Sequence, residues 1–290
     1  MKYPYELRTR QALDSITQSP QHAYILHGPK GSGKHLAALE LAAVLLNEPR
    51  VAHNTEFAHS NVYIVRPLDN KQNISIAQIR ELNEKIWVTN TDSQHPKVII
   101  ISGAEQISLE ASNALLKNLE DTPDNTVFLL ITDKIDQIIP TIRSRSQLVH
   151  FKPIELSDAQ EYLQTQHDVT SQEAEELIQL AHGSLAQAIE LLNNQLRDKV
   201  RLMRSKAQEF YTGSVTQKFI IAKNIHTDNS TEQFLEELIY TSRQQSTILS
   251  MVAILDNLML ADQQIKANVN TRTVLENLGL QMAKVGDKVL

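Results

Sequence analysis

The sequence predicts an α/β domain followed by an all-α region. Over residues 1–153, short β-branched runs alternate with helical patterns, as in a mostly parallel sheet covered by helices. A glycine-rich loop, Gly28-Pro29-Lys30-Gly31-Ser32-Gly33-Lys34-His35, joins the first such run to a helical pattern. Beyond Pro153 the strand patterns stop and helical periodicity governs the rest. The expected partition is a nucleotide-binding-like domain at 1–153, a small helical module at 154–205 and an all-helical terminal domain at 206–290.

The elements follow in order. His22–His27 reads as a buried strand running into the glycine loop. Leu36–Leu46, rich in Ala and Leu with no internal breaker, reads as a helix. Val62–Val65 is a second strand, closed by Pro67. Ser75-Ile76-Ala77-Gln78 is a capping box for a helix with Ile76, Ile79, Leu82 and Ile86 on one face. The unbroken β-branched run Val98–Ile101 is a third, fully buried strand. Ser108 opens a helix carrying Ala111, Leu115, Leu116 and Leu119, and Thr126–Thr132 and Leu148–Phe151 complete five strands. In the helical part, Ser157–Gln160 and Thr170–Glu173 read as capping boxes. Gly183-Ser184 reads as a break, Leu185–Leu196 as a helix, and Thr212–Ser214 and Thr227–Ser230 as connecting loops.

Composition narrows the function classes. A hydrophobic fraction of 41 % over 290 residues suits a globular protein of two or three domains. No apolar run reaches the roughly eighteen residues of a membrane span, and the first residues lack a signal-peptide core, so a cytoplasmic protein without membrane contact is expected. With no cysteine there are no disulfides, no thiol catalysis and no cysteine-held zinc. His53 and His59 are near each other but lack a spaced second pair, so they read as loop residues and no metal site is expected. A net charge of −6 points to protein partners, with nucleic acid touched only locally or through an assembly.

Gly28, Gly31, Ser32, Gly33 and Lys34 stand where a phosphate-binding loop needs them, with backbone N–H groups and a helix start to meet phosphate. The magnesium half of such a site is missing. His35 replaces the Ser or Thr that would ligate the metal. At the end of the third strand, Ser102 and Gly103 occupy the positions of the acids, with Glu105 two residues beyond reading as the surface side of a turn. Thr141-Ile142-Arg143-Ser144-Arg145-Ser146, between the fourth and fifth strands, sets two arginines at a helix end among small hydroxyl residues. An arginine projected there suits phosphate.

His22-Ala23-Tyr24, Gly28–Lys34, Ser112–Glu120 (Ser-Asn-Ala-Leu-Leu-Lys-Asn-Leu-Glu), Pro123–Thr126 and Ile138–Ser146 together resemble the bacterial clamp-loader subunits of the AAA+ class. Asn113–Glu120 is close to a signature of that family and is more specific than the loop. Within the family the similarity is greatest to the delta-prime subunits of DNA polymerase III, and it extends to Asn268–Glu276, which resembles the family's closing collar motif. The resemblance implies an AAA+ domain with a parallel five-stranded sheet, a helical lid and a C-terminal helical collar. It further implies that Arg145, the centre of a Ser-Arg-Cys-like triplet with Ser146 for cysteine, acts in trans as an arginine finger. The implied partners are gamma/tau and delta subunits, with the sliding clamp and primed DNA met through the assembled complex.

Three departures matter. The family's cysteine-bound zinc module would fall at Glu48–Asn61, which is cysteine-free, so no zinc is expected. No second-sensor arginine stands near Ala186, and Ser146 replaces cysteine. The expectation is a ring member without hydrolysis of its own, inside a complex with ATPase and DNA polymerase activity, its loop empty or holding ATP or ADP passively. The alternative is an active ATPase subunit of gamma/tau type with Glu105 and His35 as magnesium partners. A small-molecule P-loop kinase ranks last, because it leaves the arginine motif and the helical tail without a use.

Overall fold

The computed structural model describes residues 3–48, 59–68, 73–87, 95–123, 125–193, 196–245, 248–267 and 269–286. Packing divides the chain into two compact units, Met1–Glu190 and Leu191–Leu290.

The first unit is built on β1 (Ala23–His27), β2 (Val62–Val65), β3 (Lys97–Ser102), β4 (Thr126–Thr132) and β5 (Gln147–His150), all parallel, in the order β2-β3-β4-β1-β5. All seven residues of β4 are buried, which is why it reads as a continuous apolar run and not an alternating one. On one face, Ile25, Ile99, Ile101, Phe128 and Leu130 pack with Ile79, Leu82 and Ile86 of α3 (Ile76–Trp87) and Ala111, Leu115 and Leu119 of α4 (Leu109–Glu120). The other side receives α2 (Lys34–Leu45), which packs on β1, β3 and β4, and α1 (Leu7–Gln18), which packs on α2 and β5. Buried Asn118 donates to Asn83, which ties α4 to α3.

Local signals held in some places and failed in others. Ser108 caps α4 through the Ala111 amide at 3.2 Å, and Ser75 and Gln78 exchange capping bonds at the start of α3. The Thr170–Glu173 box opens α7 (Ser171–Leu180). The Ser157–Gln160 box does not form. Glu155 precedes α6 (Leu156–His167), so Ser157 is already inside the helix. α7 ends at Leu180, ahead of Gly183, and α8 spans Leu185–Asn193. The sequence reading missed α1. Its inward face is only Thr9, Leu13 and Ile16, while Leu7 is exposed, so the apolar period is weak.

The second unit is helical: α9 (Arg197–Thr212), α10 (Val215–Thr227), α11 (Thr231–Gln245), α12 (Ile248–Lys266) and α13 (Thr271–Gly286). α5 (Pro140–Arg143) belongs to the first unit. The second core gathers Phe210, Ile225, Phe234, Leu238, Leu258 and Leu275, with Phe210 and Phe234 edge to face at 5.3 Å. Buried Lys218 spends its ammonium on the Phe210 and Tyr211 carbonyls, closing the end of α9. Two connectors read as loops begin helices. Ser214 forms a capping box with Gln217, and the Ser230 carbonyl accepts from Phe234 in the first turn of α11. Asn270 accepts from the Thr273 amide at the start of α13; Asn268, also in the expected closing motif, lies outside the described residues, as does Asp124. Among the described residues no helix is long and apolar enough to cross a membrane.

Candidate functional site

β1 delivers the chain to the glycine loop at the carboxyl edge of the sheet, with β4 on one side and β5 on the other. Open α/β sheets place their ligand crevices at this kind of edge. Gly28, Gly31 and Gly33 have φ of 151°, 84° and 82°, values that favour glycine, and Gly33 precedes the first turn of α2. Ser32 and Lys34 are buried within this turn.

Lys34 and Ser32 bond to carbonyls of the same loop. Lys34 Nζ donates to the Gly28 carbonyl at 2.8 Å and the Pro29 carbonyl at 2.6 Å, and lies 2.9 Å from Asp133 Oδ1. Ser32 Oγ lies 3.3 Å from the same nitrogen, so four acceptors share its three protons. Ser32 Oγ also turns inward, donating to Pro29 O at 2.9 Å. Neighbouring groups close in from above. A methyl on Gly31 would stand 2.8 Å from Ser184 Cβ, and one on Gly33 would stand 2.5 Å from the Tyr3 ring. Tyr5 donates its hydroxyl to the Gly33 carbonyl at 3.3 Å. Tyr3, Tyr5, Tyr162 and Phe151 form one aromatic group with centroid separations of 4.7–5.6 Å. Burial pushes the Tyr3 phenol far above its ordinary range, helped by nearby Tyr162 and Glu40.

The positions at which the sequence reading looked for magnesium ligands hold a different pair. His35 Nδ1 and Ser102 Oγ are 3.2 Å apart, joining the start of α2 to the end of β3. Burial, and then the Arg66 charge, holds the His35 imidazole below its usual pKa, which keeps it neutral. An imidazole paired with a hydroxyl does not fit a hard cation that requires several oxygens. Glu105 sits in a 3-10 turn (Ala104–Gln106) with one carboxylate oxygen buried and unpartnered among the described residues. Among the described residues it makes no hydrogen bond or ion pair with Lys34 or His35. Among the described residues no cluster of His, Asp and Glu has the form of a metal site; His53 and most of the stretch expected to lack zinc, 49–58, lie outside them.

Arg145 lies elsewhere on the unit, just past α5. Ser144 Oγ donates to Thr141 O and Ser146 Oγ to Ile142 O, both at 3.0 Å, so the two serines flanking Arg145 bond back to the helix. Ile142 is buried beneath in the sheet core. The guanidinium reaches Glu120 Oε1 with Nη2 at 2.7 Å and the Thr141 carbonyl with Nη1 at 3.2 Å. Glu120 is the last residue of the Asn113–Glu120 motif, so two motifs far apart in sequence meet here.

Asp133, Tyr3, Tyr5 and Ser184 were missed by sequence reasoning. Asp133 carried a usable signal, an acid directly after a buried strand at the ligand edge of the sheet. The tyrosines and Ser184 carried none, because the fold brings them to the loop from far away in the chain.

A family model described as DNA polymerase III, delta subunit, matches residues 10–155, half of the chain. DNA polymerase III subunit delta' of Bacillus subtilis (strain 168) is 32 % identical over 200 residues, covering 66 % of this chain and 58 % of that protein. DNA polymerase III subunit tau of the same organism is 27 % identical over 245 residues, covering 79 % of this chain and 43 % of the relative. The chain thus spans about half the length of the curated relatives it matches. The crystal structure of a DNA polymerase III gamma subunit-related protein from Thermotoga maritima MSB8 superposes with a TM-score of 0.59. It has 18 % identity and covers 96 % of this chain and 99 % of that one, a likeness of fold.

Proposed function

Because the chain belongs to the DNA polymerase III delta subunit family, we propose that it serves as a delta-prime-like member of a clamp-loader ring and performs no hydrolysis of its own. Its site for another subunit's chemistry would be Arg145, offered in trans to nucleotide on a neighbouring gamma/tau-type ATPase. Delta subunits would complete the ring, and the sliding clamp and primed DNA would be met through the assembly. The lid at 154–205 and the collar at 206–290 are part of the same proposal.

The observation that carries this reading is the pair His35 and Ser102, 3.2 Å apart at the start of α2 and the end of β3, where a hydrolysing site needs a hydroxyl and an acid to hold magnesium. Nucleotide would bind passively if at all. Neither zinc nor magnesium is required. The test is reconstitution with neighbouring ATPase subunits, comparing Arg145→Ala and Lys34→Ala in this chain. Arg145→Ala should lower stimulated turnover by about a thousandfold, and Lys34→Ala should leave it unchanged.

The second reading is an active ATPase of gamma/tau type. The match to the tau subunit favours it, since that match covers more of this chain than the match to delta'. ATP hydrolysis by the purified chain, lost in Lys34→Ala, would establish this reading and end the first.

A further inference from the structure

Glu120 ends α4, where the negative end of the helix dipole disfavours a carboxylate. The Arg145 guanidinium 2.7 Å away offsets that penalty. The same guanidinium is anchored at its other terminal nitrogen by the Thr141 carbonyl. Two elements, the end of α4 and the turn after α5, therefore hold it at two points. An arginine has five N–H donors, and these anchors use two of them. The Nε–H and one hydrogen on each terminal nitrogen stay without a partner among the described residues. Arg143, two residues earlier, provides a contrast: its carboxylate, Asp136, is 97 % exposed and 4.0 Å away.

We infer that Glu120 is a positioning residue for Arg145, holding the guanidinium so that its remaining donors face a phosphate carried by a nucleotide-bound neighbour. This rests on the reading of Arg145 as a finger. Both partners of the pair are partly exposed, so the pair adds little to stability. Its effect is on order: a long side chain fixed in advance loses less freedom when it meets its target. Loss of that order misplaces the donors in the transition state and lowers kcat, while the neighbour's ground-state grip on ATP is untouched.

The experiment uses the reconstituted complex with this chain as wild type, Glu120→Gln or Arg145→Ala, and measures kcat and KM for ATP. Glu120→Gln should lower kcat about tenfold with KM within about twofold, and Arg145→Ala should lower kcat about a thousandfold. In the free chain, NMR of labelled arginine should show faster rotation of the Arg145 guanidinium in Glu120→Gln. Wild-type kcat in Glu120→Gln beside a steep loss in Arg145→Ala would overturn the positioning role alone, as would unchanged rotation. Wild-type turnover in an assembled Arg145→Ala complex would sink the finger reading and this inference with it.

Discussion

Lys34 and Arg145 are both cations in motifs that the sequence singles out, yet the fold treats them oppositely. The Lys34 side chain is 4 % exposed and its three protons are shared among two carbonyls, the Ser32 hydroxyl and Asp133. The Arg145 side chain keeps 37 % of its surface in solvent and is tied by one carboxylate and one carbonyl. A buried ammonium must be neutralised and hydrogen-bonded internally, because its desolvation is otherwise too costly. An exposed guanidinium is under no such demand and can exchange its carboxylate for another anion cheaply. The difference separates a cation bound inside the fold from one that keeps donors at the surface.

The largest expected effect tests the scaffold side. Tyr3 has no exposed surface, and its ring lies against Gly33 and among Tyr5 and Tyr162. Tyr3→Ala should lower unfolding free energy by about 3–5 kcal/mol, read by urea denaturation. A loss under about 1 kcal/mol would mean that the aromatic group does not support the loop. Lys34→Met should cost about 2 kcal/mol, since it strands two carbonyls while Asp133 stays partly solvated. A neutral or stabilising result would remove the lysine from the scaffold.

Acid should weaken the same corner. His27 lies below its ordinary pKa through burial, then His150 and Lys34; His35 does so through burial, then Arg66. In both cases the unfolded chain binds the proton more readily, so their contribution is complete above about pH 6.5 and is lost as pH falls through the folded values. Urea midpoints should fall between about pH 7.5 and 5.5, and His35→Gln should flatten part of that slope. An unchanged slope would place the acid sensitivity elsewhere. The smallest effect belongs to the other corner: Arg145→Ala should change stability by less than about 1 kcal/mol. A larger loss would make Arg145 structural and weaken the contrast.

The parallel strands were legible because burial on both faces leaves β-branched runs such as Val98–Ile101 and Thr126–Thr132, which need no partner to be recognised. The Ser108 and Thr170 caps were legible because capping is a local hydrogen-bond pattern. That locality also misled at Ser157, where packing of Ala159 and Leu163 carried the helix one residue upstream of the expected cap. The helix α1 was hidden because one turn of its buried face is a threonine.

The sequence by itself determined the α/β-then-α class, the glycine loop, the histidine after Lys34, the Ser102-Gly103 end of the third strand and the arginine triplet. Each depends on residue type at a fixed spacing. Tertiary structure alone decided which groups answer those residues. It brought Asp133 to Lys34, Ser102 to His35, Tyr3 to Gly33 and Glu120 to Arg145. Separations of 25 to 99 residues carry no local periodicity, and only the closing of the sheet and the packing of its helices brings such side chains together.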